Sequence, residues 1–146
     1  MKPERRREAF FVLRMMGEVL EARPRHAGAL ARAAEWLTAL GHYGAGLALD
    51  RRLAALRPRD PEIRYNLACS LALASPRQPD AALDELERAV ELGYGDLGHM
   101  AGDADLAALR PHPRYAALVR RMRGPAPKPP GRKRAEGGSA PQPGPD

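Results

Sequence analysis

The apolar residues of this chain recur at spacings of three and four along most of its length, which is the pattern of amphipathic helices. Prolines and glycines interrupt the pattern at short intervals and so mark the ends of the helices. The spacing predicts helices over residues 3–22, 27–40, 44–56, 60–74, 80–92, 96–101, 104–110 and 113–123. Because the connections are short, neighbouring helices are expected to pack antiparallel as helical hairpins.

A second, longer period organises the helices into repeats. The segments Arg-Pro-Arg-His at 23–26 and Arg-Pro-Arg-Asp at 57–60 lie 34 residues apart, and each follows the apolar end of a predicted helix. Stacked helical hairpins with a period of this length form solenoids. The predicted fold class is therefore all-α, an antiparallel helix-hairpin solenoid with about two repeats, an amino-terminal helix and a short-helix cap at the carboxyl end.

The second repeat carries the most detailed pattern. Its characteristic positions are Tyr65-Asn66-Leu67-Ala68, Leu71, Ala82-Leu83, Leu86 and Ala89-Val90. Together with the 34-residue period, these positions resemble the tetratricopeptide repeat family, and the resemblance covers roughly residues 10–123. The first repeat is a weaker copy, because Gly46 and Asp50 stand where a small residue and an aromatic one are usual. The second repeat has two extra residues in its turn.

The resemblance implies both a right-handed solenoid and a function. Segment 91–118 is similar to the terminal element that closes many bacterial arrays of this family. The family's concave surface implies a non-catalytic scaffold or adaptor that binds a protein or peptide partner on its helix A faces. Carried over by position, the partner-binding residues are Arg32, Glu35, Glu62, Tyr65, Asn66, Cys69 and Leu73. A solvated helix face is the alternative interpretation of these residues.

Charge offers a rival function. The net charge is +6, with 24 basic residues, and the basic clusters Arg5-Arg6-Arg7 and Arg132-Lys133-Arg134 lie near the two ends. Binding of nucleic acid or another anionic surface through these flanks is therefore an alternative. Neither cluster is interleaved with aromatic residues that could stack on bases, and residues 61–95 carry a net charge of −3. A protein partner is the favoured interpretation.

Few residues indicate chemistry. Asp103 and Asp105, with His99 and His112 nearby, could form a metal or acid–base cluster, but their irregular spacing at predicted helix starts favours N-capping. Cys69 is interpreted as a packed thiol, because no histidine or acidic residue is placed beside it in the sequence. We therefore expect no enzyme activity, no catalytic residue, no cofactor and no metal.

The remaining expectations concern the compartment and the ends of the chain. A single cysteine suits a reducing compartment, so a cytoplasmic location is predicted. The apolar run at 10–13 is too short for a membrane span. Residues 1–123 are predicted to form the helical domain, and the Pro/Gly-rich residues 124–146 a disordered tail. The first helix is either a true cap or part of an incomplete repeat, and a monomer or weak dimer is expected.

Overall fold

The computed structural model of the chain describes residues 1–74 and 77–125, and the secondary structure in these ranges is entirely helical. The helices are α1 (Pro3–Ala22), α2 (Ala27–Ala39), α3 (Tyr43–Leu56), α4 (Pro61–Leu73), α5 (Pro79–Glu91), α6 (Leu97–Gly102) and α7 (Pro113–Arg123). A single 3-10 turn, Ala104–Leu106, lies between α6 and α7. The all-α prediction is thus confirmed for the described residues, whereas the predicted tail lies almost entirely outside them.

Helices that follow each other in the chain pack against each other. The contacts run from α1 to α2, α2 to α3, α3 to α4 and α4 to α5. Two hairpins, α2–α3 and α4–α5, therefore lie side by side between α1 and the carboxyl-terminal elements. We call residues 97–123, which comprise α6, the 3-10 turn and α7, the cap. The 3-10 turn contacts α4, and α7 contacts α5 and α6.

The 34-residue sequence period is also a structural period. The first helices of the two hairpins begin at Ala27 and Pro61, which are 34 residues apart. The second helices begin at Tyr43 and Pro79, which are 36 apart, so the two extra residues fall in the turn between α4 and α5. Residues in the second helices of the two hairpins can therefore be matched at an offset of 36.

Both hairpins contain a helix that ends on a glycine in the left-handed region. Gly41 has a φ of 84° after α2, and Gly93 has a φ of 111° after α5. The next residue returns its N–H to the helix each time, from His42 to the carbonyl of Leu37 at 2.8 Å and from Tyr94 to that of Ala89 at 2.9 Å. This is the Schellman arrangement, and glycine suits it because it has no Cβ to strain.

The core is continuous from the second hairpin into the cap. Its largest fully buried side chains include Leu83, Leu86, Met100, Leu106, Leu109 and Leu118. The cap thus covers the apolar end of the helix stack. On the outside, Arg114 of α7 donates to Glu87 of α5 at 3.0 and 3.1 Å and to Asp84 at 2.5 Å, which ties the last helix to the second hairpin.

One predicted helix is wrong in extent. Residues 104–110 do not form an α-helix; after the 3-10 turn the chain continues with short-range bonds, from the N–H of Leu109 to the carbonyl of Leu106 and from the N–H of His112 to that of Leu109. Pro111 limits this segment at its carboxyl end, because it supplies no N–H to the carbonyl of residue 107 and disfavours the α conformation of residue 110.

The first helix covers the other end of the stack less completely. The side chains of Phe10, Phe11 and Met15 are 54, 65 and 45% exposed, whereas Ala9 is buried. No helix in the described ranges combines the length and the apolar character needed to cross a bilayer.

Candidate functional site: a groove across the two hairpins

A groove of about 740 Å³ runs across the two hairpins to the cap. The first helices of both hairpins, α2 and α4, supply most of its walls, and α3 and the cap supply the rest. Its lining residues are Gly28, Ala31, Arg32, Glu35, Thr38, Ala39, Tyr43, Asp50, Tyr65, Asn66, Cys69, Ser70, Leu73, His99, Asp103 and Asp105. We refer to this surface as the groove.

The structure brings most of the predicted partner-binding residues together. Arg32, Glu35, Tyr65, Asn66, Cys69 and Leu73 all line the groove. Glu62 does not, although it is exposed and lies one turn before Asn66 on the same helix. Because Glu62 sits in the first turn of α4, it lies beyond the groove at the amino-terminal end of that helix.

The α2 wall holds an internally paired cation. The Arg32 guanidinium donates to the Glu35 carboxylate at 2.9 Å. The same guanidinium lies 5.5 Å from the ring centre of Trp36, a buried side chain that Arg5 of α1 also approaches, at 5.7 Å. The pair of Arg32 and Glu35 therefore presents polar atoms to the groove with no net charge.

Tyr65 makes internal contacts with residues on the cap side of the molecule. Its side chain is 2% exposed, and its hydroxyl donates to Oδ2 of Asp103 at 2.7 Å. Its ring stacks on that of Tyr94, with a centroid distance of 4.2 Å and an angle of 7° between the rings. Burial, followed by the hydrogen bond to Asp103, raises the pKa of Tyr65. Tyr65, which the resemblance assigned to partner binding, thus fastens the cap to α4 through its hydroxyl.

Cys69 also has acidic neighbours, which the sequence did not predict. Its Sγ lies 3.7 Å from Oδ2 of Asp103, and the donor atoms of Cys69, Asp103 and Asp105 all lie within 4.8 Å of one another. Burial, and then the negative charge of Asp103, raise the pKa of the thiol. Burial and the neighbouring carboxylates thus both favour the neutral thiol of Cys69 over the thiolate. Among the described residues, these three form the group whose ligand atoms lie close enough together to bind one metal ion.

The capping prediction holds for one of the two aspartates. Oδ1 of Asp103 accepts the N–H of Asp105 at 3.0 Å and so caps the 3-10 turn. Asp105 caps nothing; its carboxyl is half-buried, and burial together with the charge of Asp103 raises its pKa. His99 lies 3.6 Å from Asp103, whereas His112 caps α7 instead of joining the cluster.

Two groove residues were missed by the sequence analysis as contributors to a site. Asp50 of α3 is 6% exposed and accepts a hydrogen bond from the hydroxyl of Ser70 on α4. Burial raises the pKa of Asp50, and the bond from Ser70 only partly offsets this effect. The sequence did mark Asp50 as unusual, because its carboxylate interrupts the apolar face of a predicted helix.

The chain was compared with models of protein families, with curated proteins and with solved structures, and no significant match was found. Function must therefore be inferred from the geometry and chemistry of the groove.

Proposed function

We propose that this protein is a non-catalytic, cytoplasmic interaction protein that holds a segment of another polypeptide in the groove. The observation that carries the proposal is the position of Asn66, which is exposed in the groove between the α2 wall and the cap. Among the described residues its side chain takes part in no hydrogen bond. A free amide offers both a donor and an acceptor, which is what the backbone of an extended segment requires.

The size and composition of the groove support a polypeptide ligand. A volume of about 740 Å³ lies within the range of specific ligand sites. Small side chains such as Ala31 and Ala39 leave room along the α2 wall, and Leu73 adds apolar surface on α4. A peptide chain could therefore bury apolar side chains while its backbone pairs with Asn66.

The chemistry of the groove supports binding without catalysis. Cys69 and Tyr65, the groups with nucleophilic or acid–base potential at its base, both have raised pKa values because they are buried beside carboxylates. A catalytic thiol requires the opposite shift, towards the thiolate. Tyr65 and Asp103 are also engaged with each other, so their polar atoms already serve the fold.

The test is to block the groove with a bulky side chain. Random peptides are displayed and selected on the full-length chain, and their affinities are then measured by fluorescence polarisation. Ala31→Tyr fills the α2 wall and should weaken the selected peptides by about tenfold or more, about 1.4 kcal/mol. Ala48→Tyr is the matched control, because Ala48 is exposed on α3 and does not line the groove. Selected peptides that bind both variants equally well would contradict the proposal.

A further inference from the structure

We propose that the partner segment is basic and that one of its arginine or lysine side chains enters the groove at a set of aspartates. These aspartates are Asp50, Asp103 and Asp105, which we call the acidic floor. The inference rests on the proposed function, since it specifies the chemistry of the polypeptide that the groove binds.

The groove is acidic on a protein that is basic overall. The chain has a net charge of +6. Within the groove, Arg32 and Glu35 neutralise each other, which leaves the three carboxylates of the acidic floor. A cationic segment is therefore attracted to the groove although the molecule as a whole repels it.

Carboxylates on the outer surface differ from those of the groove in their ion pairing. Several of them pair with arginines: Glu85 with Arg64, Glu91 with Arg88, and Asp84 and Glu87 with Arg114. In the part of the chain that the structure describes, no arginine or lysine forms an ion pair with Asp50, Asp103 or Asp105. Near Asp103, the His99 ring lies 3.6 Å from the carboxylate, and the Arg110 guanidinium donates to the backbone carbonyl at 2.7 Å. The carboxylates of the acidic floor thus lack the direct arginine partner that these outer carboxylates have.

Asp105 is the carboxylate best placed to receive a cation. Both oxygens of Asp103 are engaged, by the backbone of Asp105 and by Tyr65. Asp50 accepts from Ser70. The Asp105 carboxylate accepts no hydrogen bond within the described residues and is only half-buried. Burial of these carboxylates without a countercharge is unfavourable, as the raised pKa values of Asp50 and Asp105 reflect.

A long basic side chain fits this geometry. Asn66, which is proposed to pair with the backbone of the segment, is exposed, whereas Asp103 and Asp105 are recessed on the side of the cap that faces α4. His99, which is 59% exposed, marks the rim beside them. Arginine and lysine carry their charge at the end of a flexible stem, and the arginine fork can donate to two carboxylates together.

The experiment uses the peptides selected on the full-length chain and sorted by their loss of binding to Ala31→Tyr. These groove-dependent peptides should share an arginine or lysine at one aligned position. Replacing that residue by neutral citrulline or by norleucine should weaken binding to the native chain by about tenfold, but should have little further effect on Asp105→Asn. Glu62→Gln is the matched control, because it removes an exposed carboxylate of α4 that lies outside the groove.

The outcomes separate this inference from the proposed function. Groove-dependent peptides that lack a basic residue, or that tolerate its neutral replacement, overturn the inference and leave the proposed function standing. If Ala31→Tyr leaves the affinity of every selected peptide unchanged, both the inference and the proposed function are overturned. A tenfold gain in affinity when the basic residues of 128–134 are changed to serine would make the chain's own tail the occupant and overturn the assignment to a partner.

Discussion

The two hairpins have the same helical plan but differ at two matched positions. In α5, Ala82 and Leu86 are fully buried in the apolar core. The matched residues of α3, 36 positions earlier, are Gly46 and Asp50. Gly46 packs closely against Thr38, and Asp50 places a buried carboxylate at the bottom of the groove. The second hairpin is therefore built for packing, while the first gives up apolar packing to form part of a polar site.

The difference separates the apolar core of the second hairpin from the groove, which both hairpins line. The core that includes Leu83 and Leu86 continues into the cap. The α2 wall and Asp50 belong to the first hairpin, whereas Asn66 and Cys69 lie on the face of α4 that meets it. Substitutions in the second hairpin's core should thus affect mainly stability, and substitutions in the groove mainly binding.

The largest effect is expected from Leu86→Ala. Leu86 has no exposed surface, so its truncation removes apolar burial and leaves a cavity in the core. The free energy of unfolding should fall by about 2–5 kcal/mol, as measured by urea denaturation. Ala55→Gly, at an exposed position of α3, controls for a general sensitivity to substitution and should cost only about 1 kcal/mol. A cost for Leu86→Ala no greater than that of the control would remove the packing role of the second hairpin.

Gly46→Ala tests the close packing of the first hairpin. A Cβ at this position would lie 2.6 Å from Oγ1 of Thr38 and 3.3 Å from the carbonyl oxygen of Ala34. We expect a loss of about 1–3 kcal/mol in the free energy of unfolding. The second hairpin suggests the rescue, because its matched residues are Ala72 and Ala82. Adding Thr38→Ala should recover most of the loss in a double-mutant cycle, and strictly additive effects would argue against the contact.

Asp50→Asn should stabilise the protein at neutral pH. Burial raises the pKa of Asp50 above its usual 3.8, so the folded state binds this proton more tightly than the unfolded state. The resulting stabilisation is complete below the unfolded pKa and is lost as the pH rises through the folded pKa. An asparagine avoids that loss, so the free energy of unfolding at pH 7 should rise. The gain should shrink as the pH approaches 3.8; a gain that does not depend on pH would contradict the explanation.

The glycines after α2 and α5 should contribute equally to the stability of the protein. Gly41 and Gly93 occupy the same left-handed position after α2 and α5. Replacement of either by alanine should cost about 1 kcal/mol, because a Cβ is strained there. Thermal melts of the two variants should therefore agree. Gly17→Ala provides the reference, since Gly17 lies within α1 with nothing near its Cβ position, and this variant should be neutral or more stable.

The sequence predicted the fold better than the site, because helices arise from residues close together in the chain, whereas the site joins residues that are far apart in it. Helix periodicity and the 34-residue repeat are local or regular signals; the repeat recurs in the starts of α2 and α4, and the periodicity predicted the helices except at 104–110. The bond between Tyr65 and Asp103 joins residues 38 positions apart and depends on how the cap folds back onto α4. The short turn before Pro111 depends on local backbone chemistry that apolar spacing does not report. Asp50 was visible only as a departure from the pattern.

Photo-crosslinking at the groove tests the central claim most directly. Benzoylphenylalanine replaces Tyr43 in one variant and Ala48 in another, and each variant is irradiated with a groove-dependent peptide. Both positions are exposed on α3, but only Tyr43 lines the groove, and this replacement leaves Asn66 in place. Crosslinked peptide is expected at position 43 and none at position 48. Crosslinking at position 48 alone, or equal yields at both positions, would show that the peptide binds elsewhere and that the groove is not the binding site.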